Sequence, residues 1–319
     1  MRQLVATAQA NAAATPEGIK ACLDQPGQGI WLDIEAPDDA DYELLSKTFD
    51  FHELTLEDIR HQNQRPKLEE YGGYSFVVLF SAEWEGEELA IREHHLYLSA
   101  RYLVSVHQEP SPPLQRLRDR LKAAPELSHK SLPFLFYLVV DQLVDSLFPL
   151  LEQLDDQADQ VEDAILARPD VSALATIAHL KRAVVDLRKV LGAQRDVFQR
   201  LTSHAISEQG GEEMSIYYRD VYDHIVRQYE TVDSLRDVLT STMDVYLSTV
   251  SARLNEVMRR LTVIATLFLP LTFVTGFFGM NFGWLVNHIT TGGTFALGIL
   301  LMALTVLMQI AYFRRRGWA

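Results

Sequence analysis

The rhythm of apolar and polar positions changes as the chain is followed from its N-terminus. In the first third, GIWLDIEAP (29–37) is a short strand signal ended by a proline. DDADYELLSKTFDFHELTLEDI then sets acidic against apolar residues at helical spacing, which predicts two short helices. YSFVVLFSAEWEG, ELAIREHHLYLSA and RYLVSVHQ are β-rich runs separated by turns. Their order predicts an α/β (α+β) domain over residues 1–130: a largely antiparallel sheet with helices on one face. From Pro110 onward the β signals fade. SPPLQRLRDRLKAAPEL opens on prolines, a permitted helix entrance. Residues 131–213 read as a helical region, with one long helix or two meeting at Pro149, a further helix after it, and a break at 209–213.

A longer pattern begins near Met214. Ile225, Tyr229, Val232, Leu235, Leu239, Met243, Tyr246, Val250, Leu254, Val257 and Leu261 are all apolar, and every step between them is three or four residues. That is the period of a straight α-helix. The stripe continues past Arg260 and meets no proline before Pro270, so one helix is expected from Met214 to Gly279, about 100 Å at 1.5 Å per residue. Residues 214–260 form its stalk. Such a helix needs partners for its stripe, from residues 130–205 or from other copies of the chain. A second face carries Asp244, Ser248, Ser251, Asn255, Met258, Thr262, Ala265, Leu269, Thr272 and Gly276. Polar and small residues in that order fit a pore lining, but close packing between membrane helices also favours small residues and Thr, and periodicity alone leans toward packing.

From Leu261 to Phe313 there is no Asp, Glu, Lys or Arg. Two apolar runs, 261–281 and 294–313, flank the loop 282–293, and each run of roughly 20 residues is long enough to cross a bilayer core of about 30 Å. Arg253, Arg259 and Arg260 precede the first span, and Arg314, Arg315 and Arg316 open the tail 314–319. Basic flanks stay inside, so a two-pass protein of a bacterial inner membrane is expected, with both termini cytoplasmic and the loop outside. Trp284 and Trp318 then mark opposite interfaces. The N-terminus has no continuous apolar core and does not read as a secretory signal.

Charge narrows the function classes. With 43 acidic against 29 basic residues the net charge is −14, which argues against a nucleic-acid partner. A single cysteine, Cys22, excludes a thiolate cluster or disulfide framework. Phosphate-binding glycine loops, nucleophile elbows and zinc-hydrolase helix motifs are absent from the sequence, so no enzyme and no resident cofactor are expected.

RLNEVMRRLTVIATLFLPLTFVTGFFGMNF resembles the signature region of the CorA-type divalent-cation channels, and Gly279-Met280-Asn281 matches the family's GMN motif. LEDIRHQNQRPKLEEYGGY (56–74), YYRDVYDH (217–224) and the terminal YFRRRGWA extend the resemblance over nearly the whole chain. It implies a funnel-shaped homopentamer in a lipid bilayer: an α/β cytoplasmic domain, a stalk helix that lines the pore, and the second spans outside. By that resemblance Asn281 forms the selectivity ring with Gly279 and Met280. Asp244 and Asn255 fall on cytoplasmic pore rings, Met258 and Leu261 on an apolar gate, and Thr262, Leu269, Thr272 and Gly276 along the pore. Asp220 matches the regulatory cation site between subunits, with Asp58, Glu69 and Glu70 as candidate partner acids.

The transported and regulatory ion implied is Mg2+, with Co2+ and Ni2+ next. A neutral amide can accept hydrogen bonds from a hydrated ion without stripping it, which suits Mg2+. The outer loop departs from the magnesium branch. It reads GWLVNHITTGG, without a carboxylate, and in this it is closer to the ZntB-type zinc branch, for which proton coupling is the alternative. His288 is the loop's one histidine and a candidate zinc ligand, although a lone loop His is more often an ordinary polar residue. His94 and His95 sit on a strand and should point to opposite faces. The acidic run from Glu152 to Asp163 reads as a solvated helix face. The rival class is a membrane-anchored helical sensor or scaffold without transport.

Overall fold

A computed structural model describes residues 2–6, 15–25, 29–86, 88–127, 130–167, 170–203, 207–288 and 292–317. Trp318 lies outside them. The chain divides into two compact units, one formed by residues up to Ala164 together with Val171–Thr242, the other by Ile165–Asp170 and Met243–Ala319.

The first unit begins with β1 (Arg2–Ala6), α1 (Pro16–Asp24), β2 (Ile30–Glu35), α2 (Asp39–Phe49) and α3 (Glu53–His61). It continues through β3 (Lys67–Tyr71), β4 (Tyr74–Glu85), β5 (Glu88–Leu98) and β6 (Tyr102–His107). The two short helices expected after Pro37 are α2 and α3. Asp38 starts α2 with a reciprocal capping box, its carboxylate accepting from the Asp41 N–H while Asp41 accepts from the Asp38 N–H.

The six strands form one sheet in the order β1-β2-β6-β5-β4-β3. Every pairing is antiparallel except β2 with β6, which run parallel. Helices cover both faces, not the one face expected. Ile30, Leu32, Ile34, Phe76, Val78 and Val106 pack with α1–α3, while Trp31, Val77, Leu79, Leu96 and Leu103 face the opposite way into a second core. The reason is visible in β4: YSFVVLFSA is apolar nearly without alternation, the pattern of a strand buried on both sides.

That second core is built by α4 (Pro112–Ala123), α5 (Leu132–Asp145), the end of α7 (Val171–Ser203) and the start of α8 (Ser207–Phe278), while α6 (Phe148–Ala167) follows α5 outside it. The apolar stretch after Ser131 is two helices, parted at Ser146 and Leu147 just ahead of Pro149. Residues 209–213, expected as a break, are helical within α8, which therefore starts before Met214. Five of the six acids from Glu152 to Asp163 are exposed along α6 and Glu162 is half-buried, as a solvated face requires.

The second unit contains the remainder of α8, the short α9 (Gly283–His288) inside the expected loop, and α10 (Gly292–Arg315). Among the described residues, three helical stretches are long and apolar enough to cross a membrane. The apolar window of Leu132–Ala167 is 61% buried inside the protein, whereas those of α8 and α10 are 0% and 6% buried. Burial in a protein core accounts for the first. The other two are not covered by the chain itself, as helices facing lipid or a partner require.

Candidate functional site

The apolar stripe on α8 changes its surroundings along the helix. Ile225, Val232, Leu235 and Leu239 are buried within the first unit, where they need no further partner. Beyond them Leu254, Val257 and Leu261 are exposed. The polar stripe is exposed throughout: Asp244, Asn255, Met258, Thr262, Leu269, Thr272 and Gly276 all face outward from the chain.

The hydroxyls on this stretch are partly committed. Thr262 donates to the Met258 carbonyl at 2.8 Å, Thr272 to Phe268 at 2.9 Å and Thr275 to Leu271 at 2.9 Å. Each threonine thus spends its proton on its own helix. The hydroxyl protons are therefore satisfied even where water is absent, and what the hydroxyls retain for a passing hydrated ion is acceptor capacity.

At its C-terminal end α8 stops at Phe278. The Gly279 N–H still donates to the Thr275 carbonyl at 2.9 Å, and Met280 reaches back to Phe277 at 3.3 Å. A Cβ on Gly279 would come within 3.1 Å of the Thr275 oxygen. Glycine thus belongs here for close approach, allowing the helix to close its last turn against that carbonyl. Met280 and Asn281 are exposed, and the Asn281 amide takes no partner among the described residues. In α9 the His288 ring stacks on Trp284 at 4.7 Å, and its Nδ1 donates to the Trp284 carbonyl at 2.9 Å. That bond fixes the tautomer and leaves Nε2 as the acceptor.

A second constellation lies in the first unit, where α5 meets α8. Asp141, Asp145 and His224 offer ligand atoms that all lie within 4.8 Å of one another, and His224 Nδ1 is 2.8 Å from an Asp145 oxygen. Burial, the charge of Asp145 and the charge of Asp220 together push the Asp141 carboxyl up to about 6, against the opposing pull of His224 and Arg120. Asp220, one turn before His224 and exposed, thus adds its charge to a crowded acidic site that a cation would relieve. By resemblance the sequence points to Asp220, and it does not single out Asp141, Asp145 or His224. The spacing of Asp141 and Asp145 on an apolar helix, four residues apart, is the available signal.

The three candidate partner acids differ. Lys67 holds Asp58 at 2.7 Å and Glu69 at 3.2 Å, and Glu70 accepts from the Ser75 hydroxyl at 2.9 Å. The paired histidines diverge as expected. His94 Nε2 is 2.9 Å from the Ser81 hydroxyl on one face, and His95 stacks on Phe76 on the other.

Residues 26–315 match the family described as CorA-like Mg2+ transporter protein. The chain is 33% identical over 292 residues to the cobalt/magnesium transport protein CorA of Thermotoga maritima, covering 90% of this chain and 83% of that one. It is 32% identical over 289 residues to YfjQ of Bacillus subtilis, with 90% and 89% covered. Among solved structures, the complete CorA magnesium transporter of Methanocaldococcus jannaschii superposes with a TM-score of 0.82 at 25% identity, covering 91% of this chain and 92% of that one.

Proposed function

Because the chain belongs to the CorA-like Mg2+ transporter family, and is therefore a membrane transporter of divalent cations and not an enzyme, we propose that it conducts Mg2+ inward through a pentameric funnel lined by α8. The observation that carries this reading is the position of Gly279-Met280-Asn281. The motif directly follows a 72-residue helix whose outward face runs from Asp244 through Asn255, Met258 and Leu269 to Gly276. In this reading the protein spans the inner membrane twice with both termini inside.

Five Asn281 amides would ring the outer mouth and accept hydrogen bonds from coordinated water. Mg2+ gives up its water shell reluctantly, so recognising the hydrated ion avoids the cost of stripping it. Met258 and Leu261 would form the apolar constriction, which blocks hydrated ions when narrow. An inside-negative potential favours import, by about 2.3 kcal/mol per elementary charge for each 100 mV.

Regulation follows from the crowded acids. Asp141, Asp145 and His224, with Asp220 beside them, would hold a cytoplasmic cation that neutralises their repulsion. A cation bound more tightly by the closed state feeds back on uptake. Oxygen donors suit Mg2+, and the imidazole widens the set to Co2+, Ni2+ and Zn2+.

The outer loop supports a second reading. Residues 282–293 contain no carboxylate, and His288 presents Nε2 as its acceptor. Zinc transport, with or without proton coupling, is the alternative this favours. Flux of Mg2+, Co2+ and Zn2+ into sealed proteoliposomes, with and without a pH gradient, decides between them. Asn281→Ala is expected to cut Mg2+ flux by on the order of a hundredfold or to abolish selectivity, as loss of a key set of preorganised polar contacts does elsewhere. Equal flux and selectivity in wild type and variant would sink the ring assignment.

A further inference from the structure

Pro270 lies inside α8 and has no N–H, so the Thr266 carbonyl four residues earlier lacks its intrahelical donor. In hydrocarbon there is no water to replace that donor. The Thr266 hydroxyl is occupied as well, donating to the Thr262 carbonyl at 2.7 Å. The missing bond comes from the neighbouring helix. Gln309 Nε2 on α10 donates to the Thr266 oxygen at 3.0 Å. Since a carbonyl can only accept, the amide must present its nitrogen here, and its oxygen is shielded without a hydrogen bond among the described residues.

Beyond the proline, α10 grips α8 a second time. The Phe278 ring lies over Gly298, where a Cβ would stand 3.5 Å from it. One helix is thus attached to the other on both sides of the point where its backbone ladder is interrupted. We propose that Gln309 is a positioning residue that splints the pore helix across Pro270. Bending at the proline, and any change of pore width that uses it, then requires this bond to break. The inference rests on the transport reading for its effect on flux, but not for the bond itself.

Four full-length proteins test it: wild type, Gln309→Leu, Pro270→Ala and the double variant, each measured for thermal stability and for Mg2+ flux in proteoliposomes. Pro270→Ala returns the N–H that Thr266 needs, so Gln309 becomes redundant. With Pro270 present, Gln309→Leu should lower the melting temperature. It should also move the internal Mg2+ concentration for half-inhibition by about three- to tenfold, the scale of an interhelical hydrogen bond in a membrane. In the Pro270→Ala background it should do neither. Gln309→Asn, one methylene too short to reach, should behave as Gln309→Leu does.

Equal effects of Gln309→Leu in both backgrounds would overturn the proposal, as would wild-type behaviour of Gln309→Asn. A lowered melting temperature with unchanged half-inhibition would reduce Gln309 to a structural contact and overturn the positioning role. Absence of flux in the wild type would defeat the transport reading alone, and the stability comparison would still decide the splint.

Discussion

The proposed cation sensing rests, at the scale of one side chain, on Asp141. It lies half-buried near Asp145 and His224, and its carboxyl is pushed up to about 6 because burial and two neighbouring acids oppose its charge. A bound divalent cation reverses that balance, so occupancy of the cluster stabilises the folded state by mass action. Millimolar Mg2+ or Co2+ is expected to raise the melting temperature of the wild type. Asp141→Asn should abolish most of that rise and, without cation at pH 7, should be at least as stable as wild type because the repulsion is gone. A full cation response in Asp141→Asn would remove the cluster from the regulatory site. The four-residue spacing of Asp141 and Asp145 is a weak signal by itself, because YLVVDQLVDSL otherwise reads as an apolar helix. Its meaning depends on His224, which is brought to the cluster by packing between helices distant in sequence. Asn281 was legible, since its position at the end of an apolar run is itself a local signal.

At the scale of elements, β2, β6 and α4 are joined by a buried polar network. Asp33 accepts from Arg118 and from the Ser105 hydroxyl, Trp31 Nε1 donates to Ser105 at 2.9 Å, and His107 Nε2 stands 3.3 Å from Asp33. Asp33 and Arg118 are only 2% and 6% exposed. Removing one member of a buried charge pair leaves the other uncompensated, so Asp33→Ala should destabilise the protein by about 3–5 kcal/mol in denaturant titration. Burial alone would lower the His107 ring. The close approach and charge of Asp33, the Glu109 carbonyl and Glu35 outweigh burial and raise it above the ordinary histidine value. The stability His107 contributes is therefore full below about pH 6.5 and is lost as pH rises through the higher folded value. His107→Gln should flatten the decline in stability above pH 6.5, and an unchanged slope would rule out this pairing. Sequence periodicity located these strands but assigned helices to one face only. The covering of the second face depends on α4, α5 and α7, whose destination is fixed by tertiary packing.

For the whole molecule, the distribution of charge sets the expectation. The chain carries −14, yet residues 261–313 carry no Asp, Glu, Lys or Arg, so the entire excess lies outside the apolar C-terminal segment. Leu254, Val257 and Leu261 stay 56–61% exposed in the isolated chain, a continuous apolar stripe on a helix too long to stand alone. Association of copies would bury that stripe and at the same time gather their negative charge. The two effects oppose one another, and salt and divalent cations act on the second in different ways. Simple screening depends on ionic strength, with a range of about 10 Å at 0.1 M. A bound ion instead relieves repulsion at particular side chains. Native mass measurement of the detergent-solubilised protein should give five chains per particle. Chelation of divalent cations at low ionic strength should loosen that particle and lower its melting temperature, and millimolar Mg2+ should restore both where NaCl of matched ionic strength does not. Equal rescue by NaCl would reduce the cation effect to screening, and any stoichiometry other than five would refute the pentameric ring on which the Asn281 assignment depends.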